Sequence, residues 1–235
     1  MIYKIAPILL FLFSTLSSNE IKPTEPKLIA STTKTNFASK AESLYNNLNS
    51  NNLSLPKLGT FTKALEGFYD LKEKGKIKRD ILTLIDFSMS SNTKRLWIID
   101  LSTNTVLYNS LVAHGRNTGD EFAKSFSNQP ESYKSSLGFY ATGEVYQGKH
   151  GLSLKLDGLE KGVNDKARAR AVVIHGADYV ADSFIKQNKR LGRSLGCPAI
   201  PMGMTKEIIN TIKDKSCLFI YHPSTNYKDL LRRVS

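Results

Sequence analysis

Cys197 lies in Gly192-Arg193-Ser194-Leu195-Gly196-Cys197-Pro198-Ala199, and His175 closes the apolar run Ala171-Val172-Val173-Ile174 upstream of it, followed by Gly176. A thiol on a glycine-rich turn and an imidazole delivered by a strand suit thiol acyl transfer. A free thiol has a pKa near 8.5 and is mostly protonated at neutral pH, so an adjacent histidine is expected to take its proton and later protonate the leaving amine. The tetrahedral intermediate also needs backbone donors. Pro198 has no N–H, which leaves the N–H groups of Cys197 and Gly196 as local candidates, and Gly196 lets a substrate approach the backbone closely.

The other histidines are weighed against plain roles. His150, in Gln147-Gly148-Lys149-His150-Gly151, reads as an exposed hairpin tip without function, and His222 before Pro223 as a surface residue. His114 enters the loop Gly115-Arg116-Asn117-Thr118-Gly119-Asp120 at a strand end, where substrate contact and a structural hydrogen bond are both open. Cys217 sits in the apolar stretch Cys217-Leu218-Phe219-Ile220-Tyr221 and reads as a small buried hydrophobe, with a Cys197 to Cys217 disulfide as the alternative.

The elements that must position these groups can be read from the patterning. Lys4 followed by an apolar run over 5–16 and then Ser17-Ser18 reads as a signal peptide over 1–18, too short for a membrane anchor. Export to the periplasm or cell envelope, with no stable membrane anchor after cleavage, is the expectation. Residues 19–36, rich in Lys, Thr, Ser and Pro, read as a flexible linker. Helical spacing predicts a helical extension within 37–79, with helices at 37–48 and 60–74 and Thr60 as N-cap, both packed on the main domain. Short apolar runs at 81–87, 95–101, 105–113, 137–146, 152–156, 170–175 and 218–221 predict strands, interrupted by helices at 179–189 and 206–213. Strands without regular helix alternation predict a mainly β fold, a sandwich or barrel, over 80–223, followed by a basic tail at 224–235.

The 33 Lys+Arg against 21 Asp+Glu give a net charge of +12. Such an excess favours anionic surroundings, but the basic residues are scattered and not interleaved with aromatic stacking platforms, so nucleic acid is not the expected partner. A carboxylate-rich cell wall polymer fits charge and export together. No His-x-x-x-His or paired Cys-x-x-Cys occurs, and no metal or organic cofactor is expected.

From about Lys94 to Pro201 the chain resembles the L,D-transpeptidase (YkuD-like) catalytic domain, as a divergent murein L,D-transpeptidase branch. Val172-Val173-Ile174-His175-Gly176 and Ser194-Leu195-Gly196-Cys197-Pro198-Ala199 are similar to the family's histidine segment and its Ser/Thr-His-Gly-Cys segment, and Ser135-Ser136-Leu137-Gly138-Phe139-Tyr140 to a segment that commonly reads Thr-Pro-x-Gly. The resemblance implies an L,D-transpeptidase-like fold, Cys197 as nucleophile, His175 as general base and acid, and the Gly176 carbonyl as the group orienting the imidazole. Ser194, Arg193, His114 and Tyr140 are expected at the substrate, which the resemblance implies to be peptidoglycan stem peptides. L,D-carboxypeptidase activity on the same bond and noncatalytic peptidoglycan binding are the alternatives. Leu195 stands where the wider family has a second histidine, so no second imidazole is expected beside Cys197. Pro198-Ala199 replaces an apolar residue and an Arg/Asn, which leaves Arg193 or Arg190 to meet a carboxylate. The interval from His175 to Ser194 is also slightly long.

Overall fold

Most strands of this chain are apolar on both faces, and the fold supplies cover for each. The computed structural model describes residues 27–225, with side chains from residue 37; the signal sequence, the start of the linker and the tail from 226 lie outside them. Helices α1 (Lys27–Asn46) and α2 (Leu58–Glu73) precede strands β1 (Ile81–Asp86), β2 (Leu96–Asp100), β3 (Thr105–Ser110), β4 (Gly138–Gly148), β5 (Gly151–Gly158) and β6 (Val173–Ala177). Helix α3 (Asp182–Asn188), strand β7 (Ala199–Pro201), a 3-10 turn (Met202–Met204), helix α4 (Thr205–Ile212) and strand β8 (Cys217–Tyr221) follow. The eight strands form one mixed sheet in the order β3-β2-β1-β8-β4-β5-β6-β7, parallel at β1–β8 and β6–β7 and antiparallel elsewhere.

The sheet curls until its two edges meet. Just beyond β3, Ala113 N–H donates to the Ala199 carbonyl of β7 at 2.8 Å, and Ala199 N–H returns a bond at 3.3 Å. A nearly closed, barrel-like mainly β fold results, and closure satisfies edge groups that an open sheet would leave unpaired. Alternate residues point to opposite sides. Ile81 and Ile85, Leu96 and Ile98, and Leu218 and Ile220 face the interior cluster closed by Ile208, Ile209 and Ile212 of α4. Leu82, Leu84, Trp97, Ile99 and Phe219 face outward against Phe61, Leu65, Phe68 and Leu71 of α2.

The outer layer turns on one close approach. Phe139 and Phe219 stack with ring centroids 4.1 Å apart at 17°, and α2 comes down on them at Gly67, where a Cβ would lie 2.0 Å from the Phe139 ring. Phe219→Ala opens a cavity at this junction and is expected to cost about 3–5 kcal/mol, read as a lowered urea midpoint.

Five sequence expectations change. Helix α1 begins at Lys27, within the stretch read as linker. Helix α2 begins at Leu58 with Lys57 in the N-cap position, so Thr60 is no cap; its hydroxyl is buried and bonds Asp86 Oδ2 at 3.4 Å. Strand β3 stops at Ser110, and β7, only three residues long and ending in Pro201, was not anticipated. His175 does not end its strand but sits at its centre, paired in register with Ser153 of β5 and Ala199 of β7.

Candidate active site

The parallel pairing of β6 with β7 brings Cys197 and His175 to one wall. With Ala199 opposite His175, the chain two residues earlier runs beside Val173, whose N–H donates to Cys197 Sγ at 3.4 Å. The thiol in turn lies 3.7 Å from the Ala171 carbonyl; Ala171 itself has φ +54°, a left-handed conformation that aims this carbonyl at the sulfur. Cys197 and His175 line one cleft of about 610 Å³, together with Tyr146, Lys149, Arg170 and Tyr179. Both cysteines are free: Cys197 is half-buried at this cleft, and Cys217 is fully buried in the outer layer, where burial pushes its thiol well up.

The cysteine turn is fixed by its neighbours. Ser194 Oγ accepts the Gly196 N–H at 3.0 Å and donates to the Cys197 carbonyl at 2.6 Å. Ser135 Oγ accepts the Gly115 N–H at 3.0 Å and donates to the Gly196 carbonyl at 3.1 Å. Gly196 adopts φ +126°, and a Cβ there would meet the Lys134 carbonyl at 2.9 Å, so the turn requires glycine. One expected role is revised by these bonds. The Gly196 N–H is engaged by Ser194, which leaves Cys197 as the local backbone donor. Ser194 is largely buried, braces the turn and also lines the cleft.

His175 Nδ1 lies 2.9 Å from the Gly176 carbonyl. A carbonyl only accepts, so Nδ1 carries the proton and Nε2 presents a lone pair. Gly176 has its own reason to be glycine, since a Cβ would lie 2.2 Å from Thr205 Oγ1. Burial holds the imidazole below its ordinary 6.5, the Gly176 bond opposes this, and His150 and Lys149 lower it further. Burial likewise pushes the Cys197 thiol up, against the Val173 N–H and the charges of Arg170 and Lys149. Among the described residues no hydrogen bond joins Sγ to His175, and the two shifts run against a preformed thiolate–imidazolium pair.

Of the four predicted substrate contacts, Ser194 and Arg193 line the cleft, and Tyr140 and His114 do not. Tyr140 is fully buried in the interior cluster, its hydroxyl donating to the Ser136 carbonyl at 3.0 Å. His114 is 1% exposed, and the structural alternative holds: Arg95 donates to its Nδ1 at 2.8 Å, so Nε2 carries the proton toward the Gly119 carbonyl at 3.3 Å. Arg193 does reach the cleft rim, but its guanidinium bonds Asp120 at 2.6 Å, and Arg190 also points at Asp120, at 3.9 Å.

Burial first, then Arg95, holds His114 at about 4, against 6.5 when unfolded. The unfolded chain therefore binds this proton as pH falls through 6.5 and the folded chain does not until about 4. Stability fully present above pH 6.5 is expected to decline across that window, seen as a falling Tm that flattens in His114→Gln.

Several residues of the cleft were given no role from the sequence. Arg170 precedes β6, with NH1 bonded to the Ser127 carbonyl at 2.9 Å and Ser136 Oγ at 2.5 Å. Its NH2 bonds the Lys134 carbonyl at 2.7 Å and Ser132 Oγ at 3.4 Å. All terminal N–H groups are thus engaged, and Arg170 contributes fixed positive charge beside the thiol rather than a fork for a ligand. Tyr179, its hydroxyl raised to about 12 chiefly by burial, packs against Gly192 and lines the same wall. His150, read as an exposed tip without a role, is exposed yet stacks its ring on His175 at 4.4 Å and 23°. A second imidazole is therefore present after all, supplied by the β4–β5 turn instead of position 195, where Leu195 is 55% exposed at the cleft rim.

Residues 53–221 match the L,D-transpeptidase catalytic domain family. Solved structures with similarity to the chain include an L,D-transpeptidase from Mycobacterium smegmatis (10% identity, TM-score 0.38, 61% of this chain and 59% of that one). L,D-transpeptidase 3 from Mycobacterium tuberculosis matches at 8% identity and TM-score 0.39, over 61% of each chain. An L,D-transpeptidase (Yku) from Stackebrandtia nassauensis matches at 10% and 0.37, over 80% of this chain and 91% of that one. The chain thus spans about three fifths of the length of the two mycobacterial proteins. No curated protein matches. Among the described residues no helix is long and apolar enough to cross a membrane. With the family match extending over most of its length, from the connection before α2 to the last strand, the chain belongs to the L,D-transpeptidase catalytic domain family.

Proposed function

We propose that the protein is an exported cysteine acyltransferase, a murein L,D-transpeptidase that acts on peptidoglycan stem peptides through Cys197. The observation that carries this reading is the shared cleft of Cys197 and a His175 whose Nδ1 is tied to Gly176, leaving Nε2 as a base. As Sγ attacks the carbonyl between the third stem residue and the terminal D-alanine, its proton passes to His175 Nε2. The Cys197 N–H and the positive charge of Arg170 favour the developing oxyanion. His175 then protonates the leaving amine, the C–N bond breaks, D-alanine departs and a thioester remains. An acceptor amine attacks that thioester, gives a proton to His175 and returns the thiol, leaving a crosslink. The cationic cleft, with Lys149 and Arg170 on its walls, suits a carboxylate-bearing stem.

The test incubates residues 19–235 with purified tetrapeptide muropeptides and follows products by mass spectrometry. Crosslinked dimers establish transpeptidation. Tripeptides alone mean that water resolves the thioester and the protein is an L,D-carboxypeptidase. If neither product nor an adduct on Cys197 forms, the enzymatic reading fails and noncatalytic binding takes its place.

A further inference from the structure

We propose that His150, at the turn of the β4–β5 hairpin, is a positioning residue that caps the imidazole of His175, so that the base works as one member of a stacked histidine pair. This rests on the reading of His175 as general base. The placement is built into the sheet. Strand β8 pairs with β4 only over Gly138–Ala141, so the outer half of the hairpin projects beyond it. A register break between Thr142 and Val145 bends that half, and Arg168 holds the bend by bonding Glu144 from NH1 at 2.8 Å and NH2 at 3.0 Å. Pairing of Ser153 with His175 then fixes how far the turn reaches: Gly148 and Gly151 close it, and the His150 ring lands on the His175 ring.

That contact does two things. It covers one face of the imidazole, while the Gly176 carbonyl holds Nδ1 in its plane, so the direction of Nε2 is set from two sides. It also couples the rings electrically. Lys149 shares the turn, Arg170 and Arg193 stand on the cleft walls, Cys197 and Tyr179 are neutral at working pH, and Asp178 lines an adjoining cleft of about 420 Å³ on the other side of His150. In this largely cationic setting the stacked His150 ring and Lys149 add to burial in holding the proton affinity of His175 down.

Ring-proton NMR titration of the purified protein, beside His150→Phe and His150→Ala, tests the pair without requiring turnover. In the wild type a ring-to-ring nuclear Overhauser effect between His150 and His175 is expected. His150→Phe keeps the cover and removes the charge, so His175 titrates at higher pH than in the wild type, and the acid limb of kcat moves the same way. At the pH optimum His150→Phe retains kcat within about threefold, whereas His150→Ala loses about tenfold with KM little changed. An unaltered His175 titration in His150→Phe, or equal loss of kcat in both variants, overturns the proposal. The ring-to-ring contact, with the upward move of His175 in His150→Phe, in a wild type that turns over no muropeptide overturns the function proposed above and leaves the pair standing.

Discussion

Cys197→Ala is expected to abolish turnover of tetrapeptide stems, by at least about 10⁴-fold, and to leave no covalent adduct on the protein. The magnitude follows from what is removed. Without Sγ no thioester can form, and the remaining groups can only bind the stem and polarise its carbonyl. The fold should not notice, because the half-buried sulfur makes weak hydrogen bonds with the Val173 N–H and the Ala171 carbonyl, and the turn around it is held by Ser194 and Ser135. Circular dichroism and Tm within about a degree of the wild type would show that the loss is chemical. Cys217→Ala is the complementary case. Its thiol lies fully buried beside Phe219, so that variant loses stability but keeps an adduct on Cys197, located by peptide mass mapping. An adduct that persists in Cys197→Ala would move the nucleophile elsewhere and end the reading.

How much of this was legible depends on the range of the interaction concerned. Strands β1, β2 and β8 could be read because they are apolar on both faces, and their neighbours' cover demanded those residues at every position. The pairing of the thiol and histidine segments was legible too, since both are local motifs. What surrounds them was not. His114 and Tyr140 occupy sequence positions next to functional loops, yet the direction of a side chain depends on partners far along the chain: Arg95 for His114, the Ser136 carbonyl and the closed interior for Tyr140. His150 was missed for the opposite reason. A Lys-His turn between glycines is an exposed tip by every local rule, and only the bend at Thr142 and Val145, with the β5–β6 register, carries it over His175. The Ser194 turn was open to a local reading, because a serine accepting the N–H two residues on is a recognised motif, yet Gly196 was read as an oxyanion donor instead.

The same geometry separates two ways of activating a thiol. His175→Gln is expected to lower kcat by about 10²–10⁴-fold, the usual worth of a positioned general base, with circular dichroism unchanged. It is not expected to alter how the resting thiol reacts with iodoacetamide. In a preformed thiolate–imidazolium pair, alkylation would reach a plateau in mildly acidic solution and lose it when the histidine goes. Here Sγ is held by Val173 and Ala171, and burial raises the thiol above its ordinary 9.0 while burial lowers His175 below its ordinary 6.5. The signs fix the window. At pH 7 both groups are neutral, the imidazole already able to accept a proton and the thiol still holding one. Alkylation should thus climb only above pH 9, alike in wild type and His175→Gln, while the acid limb of kcat/KM lies below pH 6.5 and is lost in the variant. An alkylation plateau near neutrality that disappears in His175→Gln would mean that the ion pair forms before substrate arrives. Its absence places proton transfer in the attack itself, where the orientation of Nε2 by Gly176 and His150 has its effect on rate.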